Sequence, residues 1–282
     1  MKFKTFYKIY YKHRLHKANF FLKIYILSIL PIQYIFNLFY LQKKTDLDMM
    51  EKKFEFLNNY KLGKLFDYFN SDKGNEFEDQ YVQPYKRKKT KIRGHGYSQF
   101  YEKYFHVLKE LPIKILEIGS FHGNASAALF FYFKNAKIFG GDIFPDLFRY
   151  RSKRLVNFYV NSSKEESIKK NILKKEILFD IIIEDASHSH KDQIISLFIL
   201  FKTLKAKGIF IIEELDFPDT RKDMNLDNEK PTLREILNNL INKKDFSSKF
   251  IDKNDKEYFI NNCSSIKIYK GNFNEVAIIT KK

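Results

Sequence analysis

The stretch Leu116-Glu117-Ile118-Gly119-Ser120-Phe121-His122-Gly123-Asn124-Ala125-Ser126 decides the fold. It closes the apolar run from Ile113 to Gly119 and opens the helix-forming run Ala125–Phe133. A strand that passes through a glycine turn into a helix reads as one half of a βαβ unit. Gly119 and Gly123 let backbone come close to a ligand, and the helix start offers free N–H groups. Only two glycines occur and an acid precedes them, so this is not the dinucleotide G-x-G-x-x-G.

Four further strands follow in the same style. AKIFGGDIF (136–144) ends near Asp142, VNFYV spans 156–160, FDIIIEDASHSH begins at Phe179, and GIFIIEEL spans 208–215. Between the last two lies the helical run 193–205. Continuous apolar strands alternating with helices predict an α/β fold, a mostly parallel sheet covered on both faces. SSIKIYKG (264–271) and NEVAIIT (274–280) predict an antiparallel hairpin at the C-terminal edge. The predicted organisation is a basic and apolar extension at 1–44, a helical cap region at 45–110 with a basic loop at 75–93, and the core at 111–282.

Charge is concentrated. The chain of 282 residues carries a net charge of +17, of which residues 1–44 hold nine Lys and Arg and no acid. Lys86, Arg87, Lys88, Lys89, Lys91 and Arg93 form a second basic segment, and the remainder is close to neutral. Two local segments do not make the broad basic face of a nucleic-acid binder, so no nucleic-acid partner is expected. One cysteine, Cys263, rules out an internal disulfide and suggests a reducing, cytoplasmic setting.

Residues 24–41 are uncharged and just long enough to span a bilayer, but Pro31 interrupts them. Asn19, Lys23, Gln33 and Asn37 fall on one narrow arc of a helix. Three readings stand: peripheral contact with the membrane's inner face or a partner, packing on the chain's own core, and spanning. The sequence also leaves a homo-oligomer open.

The chemistry is expected where strand ends converge. Asp142 lies 23 residues after Gly119, placed to accept hydrogen bonds from ribose hydroxyls. Asp185 ends the fourth strand, and Glu213 and Glu214 end the fifth. Three crowded carboxylates repel unless a cation neutralises them, and oxygen donors favour Mg²⁺ or another hard divalent ion. His188, three residues past Asp185, is the candidate base, with His190 as its rival. The bland alternatives are a tight turn, a cap and a solvated acidic edge.

On Glu117-Ile118-Gly119 and Asp142 the chain resembles class I S-adenosylmethionine-dependent methyltransferases. That resemblance implies a Rossmann-like methyltransferase fold and S-adenosyl-L-methionine held by Glu117, Gly119, Ser120, Gly123, Asp142, Ser163 and Asp185. On Asp185-Ala186-Ser187-His188 and Glu213-Glu214 it resembles the metal-dependent sugar O-methyltransferases of antibiotic glycosides and the cephalosporin-hydroxylase-like proteins. This implies Asp185, Glu213 and Glu214 as metal ligands and His188 as the catalytic base. Ser71-Asp72-Lys73-Gly74 and His95-Gly96-Tyr97 extend the resemblance, with Tyr97 and Asp72 capping the cofactor. The implied reaction is methylation of a sugar hydroxyl in surface polysaccharide or glycoside biosynthesis. A nucleic-acid methyltransferase and a non-catalytic binding protein are the competing expectations.

Overall fold

Alternate residues of the central strands face opposite sides of one sheet, and both sides are apolar. Ile115, Ile138, Ile181, Ile183, Ile209 and Ile211 face one way, and Leu116, Phe139, Ile182, Phe210 and Ile212 the other. This is why the runs read as unbroken hydrophobic segments and why the sheet is covered twice. The structure, a computed structural model, describes residues 1–40, 44–80 and 90–282. Lys43 and Lys86–Lys89, part of the two basic segments, lie outside the described residues.

The sheet has seven strands: β1 Lys114–Ile118, β2 Lys137–Asp142, β3 Leu155–Tyr159, β4 Phe179–Glu184, β5 Leu204–Ile212, β6 Cys263–Lys270 and β7 Glu275–Lys281. Their spatial order is β6-β7-β5-β4-β1-β2-β3. β1 to β5 run parallel, while β7 pairs antiparallel with both β5 and β6. β5 begins four residues earlier than the apolar run suggests and stops at Ile212, so Glu213 and Glu214 sit just beyond the strand.

Register places the site. Ile118 pairs with Gly141 on one side and Glu184 on the other, and Glu184 pairs with Ile212. The residues that follow, Gly119, Asp142, Asp185 and Glu213, therefore share one rim. β1 lies between β4 and β2, the crevice where open α/β sheets bind ligands.

The segment 45–110 packs on one face of the sheet. Leu47, Leu62, Leu65, Phe66, Tyr101 and Phe105 join the same core as Ile115 and the almost wholly buried helix Asn124–Tyr132. Two helices unassigned by the sequence pattern, Leu233–Ile241 and Lys253–Asn262, help to cover the other face. The first begins with a capping box between Thr232 and Glu235.

The N-terminal extension forms three helices, Phe3–Tyr10, Lys12–Lys17 and Phe20–Tyr40, with a hydrophobic cluster of their own around Phe6, Tyr10, Tyr11 and Leu30. The polar arc on the long helix is partly turned inward: Asn37 is fully buried, Gln33 half-buried, and Asn19 and Lys23 exposed.

Candidate active site

A cleft of about 260 Å³ opens over the ends of β1, β2, β3 and β4. Glu117, Gly119, Ser120, Asp142, Ser163 and Asp185 line it, as do Ser71, Asp72, Lys73 and His188. Gly119 has a φ of +89°, and a Cβ there would lie 1.8 Å from the carbonyl oxygen of Asp185. Only glycine allows the β1 and β4 ends to come this close. The Gly119 and Ser120 amides both donate to the Gly141 carbonyl, at 2.8 and 3.2 Å, tying the turn to β2.

Asp142 braces the same turn. Its two carboxylate oxygens accept the Phe121 and Phe144 amides at 2.8 and 2.7 Å. A carboxylate offers about four lone-pair sites, so these two bonds leave acceptor capacity on a residue that lines the cleft. Ser163 donates to Asp192, which also accepts from Ser187, joining the β3 and β4 loops. Glu117 is buried and accepts a hydrogen bond from Ser126. Burial pushes its carboxyl up to about 7, against the opposing pull of Lys73 and Ser126.

Two residues assigned to the cofactor are not among those lining the cleft. Gly123 does not line the cleft: its φ is +81°, and a Cβ there would meet the Phe148 ring at 2.6 Å. Its glycine serves packing at a helix start. Tyr97 is fully buried behind the acidic residues, with its hydroxyl 3.5 Å from Glu214 Oε1 and its ring stacked on His95.

Asp185, Glu213 and Glu214 do converge, but with different partners. Glu213 accepts from Lys73 Nζ at 2.9 Å and from the Tyr101 hydroxyl. Lys73 also donates to Asp185. Glu214 Oε1 faces His95 Nε2 at 3.2 Å. His188 lies between two carboxylates, Nε2 at 3.6 Å from Asp185 Oδ1 and Nδ1 at 3.5 Å from Glu214 Oε2. The donor atoms of Asp185, His188 and Glu214 lie within 4.8 Å of one another. Glu214 Oε2 and His188 Nδ1 are buried without a hydrogen-bond partner among the described residues. Burial raises the Glu214 carboxyl well above its usual range, and the negative neighbours Asp185 and Glu213 add to it. The two carboxylates, with the unsatisfied oxygen of Glu214, fit a hard divalent cation, and the His188 imidazole stands beside them. His188 and Glu214 also hold left-handed φ values of +54° and +46°, backbone strain of the kind that gathers at functional sites.

His190 is set apart. It opens the helix His190–Leu200, faces Glu229 at 3.8 Å and packs on the Phe250 ring.

Lys73 is the residue that sequence reasoning quoted but gave no role. It is 1% exposed, yet it carries the charge nearest to Asp185 and Glu213. Burial opposes that charge, but Asp185 and Glu213 outweigh it and hold the ammonium well above the usual lysine range. The surplus of buried carboxylates was the available signal, since they need a cation from somewhere. Lys73→Met should therefore destabilise the fold by about 3–5 kcal/mol, the cost of leaving buried charge unpaired. Mg²⁺ should recover part of that loss in thermal unfolding, whereas the parent protein gains less from it. An unchanged melting temperature in EDTA would show that Lys73 carries no such load.

No protein-family profile matches the chain. A segment of 128 residues is 27% identical to 8-demethyl-8-(2-methoxy-α-L-rhamnosyl)-tetracenomycin-C 3′-O-methyltransferase of Streptomyces olivaceus, covering 43% of this chain and 32% of that protein. Among solved structures, the MycE methyltransferase of the mycinamycin biosynthetic pathway, in complex with Mg and SAH, superposes with a TM-score of 0.58 at 18% identity. The match covers 79% of this chain and 55% of MycE. The MycE complex that also holds mycinamycin VI gives 0.57 at the same identity. The chain thus spans about half the length of MycE and has the Rossmann-like fold of class I S-adenosylmethionine-dependent methyltransferases.

Proposed function

We propose that this protein is an S-adenosylmethionine-dependent, divalent-cation-assisted O-methyltransferase acting on a sugar hydroxyl of a glycan or glycoside. One observation carries the reading: the cleft at the β1 and β2 ends runs directly into the Asp185–His188–Glu214 cluster, with Asp185 and His188 lining both. A donor seated beside Gly119 would then have its methyl group close to an acceptor oxygen at that cluster. The Streptomyces olivaceus relative and MycE support the choice of a sugar hydroxyl.

In this reading Asp142 anchors the ribose end and Glu117 faces the cationic methionine end of the donor. The acceptor oxygen forms its bond to carbon as the carbon–sulfur bond breaks, and its proton passes to the His188 imidazole. Burial lowers the His188 pKa, so the ring is neutral and able to take a proton near neutral pH. Asp185 and Glu214 would hold the cation, which when bound supplies orientation and acidity to the acceptor hydroxyl. The rest is positioning within a closed rim.

Methyl transfer to a panel of glycans and nucleotide sugars, run with EDTA and with Mg²⁺, tests this. The expected result is turnover that needs Mg²⁺, with His188→Ala inactive, and heat stabilisation by S-adenosylmethionine. Turnover insensitive to EDTA would remove the cation from the mechanism. Failure of the cofactor to raise the melting temperature would remove the methyltransferase reading.

The Glu117 carboxyl adds a pH signature. At about 7 it is half ionised near neutrality. A cationic ligand favours the carboxylate, so binding releases a proton and affinity rises with pH. Titration calorimetry should show about tenfold tighter S-adenosylmethionine binding at about pH 8 than at about pH 6, since a unit of pKa is a factor of ten. Glu117→Gln should bind weakly and lose the dependence.

A further inference from the structure

We propose that the helices of residues 1–40 rest on a membrane surface carrying anionic lipid, and that the acceptor sugar is presented there on a lipid carrier. The second half of this rests on the methyltransferase reading; the first does not.

The helix Phe20–Tyr40 is 21 residues long. Within its apolar span only 11% is buried. Phe20, Phe21 and Phe39 are 70%, 81% and 81% exposed, and Ile24, Leu27, Ile35 and Phe36 are each more than half exposed. What the helix turns inward is a stripe at Ile26, Leu30, Gln33, Tyr34 and Asn37, of which Ile26, Leu30 and Tyr34 pack with the helices Phe3–Tyr10 and Lys12–Lys17. Tyr34 donates to the Met1 carbonyl at 2.9 Å, and the Asn37 side-chain amide donates to the Gln33 carbonyl at 2.7 Å. Gln33 and Asn37 thus share the packed side with Ile26, Leu30 and Tyr34, while most of the helix's other aromatic and aliphatic groups stand outside. A helix facing water has the reverse arrangement. An exposed apolar surface of this extent marks a contact with a partner or a membrane.

Charge selects the occupant. Lys2, Lys4, Lys8, Lys12, Arg14 and Lys23 are exposed, and residues 1–44 contain no acid. Two copies facing each other would bring like charges together, whereas anionic headgroups complement them, at about 1 kcal/mol per basic residue near the surface. The same residues weigh against spanning. Lys4, Lys8, Lys12 and Arg14 stand on short helices packed alongside the long one, and a spanning placement would carry them into hydrocarbon at about 2.5–3.5 kcal/mol each. An in-plane placement sinks the apolar face and leaves the basic groups among the headgroups.

The helices are tied to the active-site rim. The Lys2 amide and the Thr5 hydroxyl donate to the Asp146 carboxylate at 2.6 and 3.0 Å, and Lys8 Nζ lies 5.6 Å from the Phe144 ring centre. This loop follows Asp142, and its Ile143 lines the cleft. The short helix on which the long one packs is thus joined to a loop of the cleft, and on this proposal a lipid-linked acceptor is met without leaving the surface.

Co-sedimentation of the full chain with phosphatidylcholine vesicles, with and without phosphatidylglycerol, tests the contact. Binding to the anionic vesicles, weakened by salt, is expected. The double variant Phe21→Glu/Ile35→Glu should lose affinity by about tenfold or more, since charge on the inserted face opposes burial. Both sites are exposed, so its melting temperature and its response to S-adenosylmethionine should match the parent. Failure to sediment with either vesicle, or equal sedimentation with both, overturns the anionic-surface proposal. A parent oligomer that the variant dissociates, read by light scattering, assigns the face to a second copy and overturns it too. For the acceptor, a vesicle-borne glycolipid should be methylated faster than the same glycan in solution, and the variant should abolish that advantage. Equal rates overturn the lipid carrier alone. Vesicle binding with no turnover on any glycan counts against the methyltransferase reading and leaves the membrane contact standing.

Discussion

Asp185→Asn is expected to reduce methyl transfer by about a thousandfold, near 4 kcal/mol of transition-state stabilisation, because one carboxylate serves three purposes at once. It contributes an oxygen to the cluster with His188 and Glu214, pairs with Lys73, and lines the cleft. The amide keeps the shape and the volume but loses the negative charge. Two consequences can be measured apart from activity. Divalent-ion affinity, read by calorimetry, should fall steeply, since an amide oxygen is a far weaker ligand than a carboxylate for a hard cation. Lys73 should keep Glu213 as its partner at 2.9 Å, so the fold should survive and S-adenosylmethionine should still stabilise it against heat. A variant that is inactive, folded and still cofactor-binding would place the defect in the chemistry. Turnover close to that of the parent would show that the cluster is a structural ion network.

Gly119→Ala should cost on the order of a hundredfold in turnover and most of the cofactor affinity, because a displacement near 1 Å in an active site has effects of that size. The added methyl group would sit 1.8 Å from the Asp185 carbonyl oxygen, far inside contact distance, on a residue whose φ of +89° already disfavours any side chain. The neighbour that must move is backbone at the end of β4, not the tip of a flexible side chain. Moving it displaces Asp185, which belongs both to the cluster and to the cleft lining. Gly123→Ala is the informative comparison. It meets the Phe148 ring and lies outside the cleft lining, so its cost should fall on thermal stability more than on cofactor affinity. Equal loss of cofactor affinity in the two variants would refute this division.

Much of the fold was legible because it depends on local pattern. The strand–turn–helix at Ile113–Phe133, the later apolar runs and the edge hairpin need no distant partner to be recognised. The rim where Gly119, Asp142, Asp185 and Glu213 gather followed, since parallel strands must end on the same side. The polarity of the long N-terminal helix was harder. Its arc of amides was visible, but whether that arc meets water or protein depends on helices that precede it in the chain.

At the acidic cluster the residue types were readable and the pairings were not. Glu213 and Glu214 are neighbours in sequence, yet Glu213 turns to Lys73 and Tyr101 while Glu214 turns to His95 and His188. Lys73 reaches Asp185 across 112 positions, a separation that no spacing rule spans.

By itself, the amino-acid order determined the layered α/β architecture, the strand ends at which chemistry collects, and the excess of carboxylate there, because periodicity and turn chemistry act over a few residues. Only the tertiary structure decided which carboxylate meets a buried ammonium and which is left with an unsatisfied oxygen beside an imidazole. The physical reason is that burial and pair distance, which set the charge state of each group, arise from elements brought together after the local structure has formed.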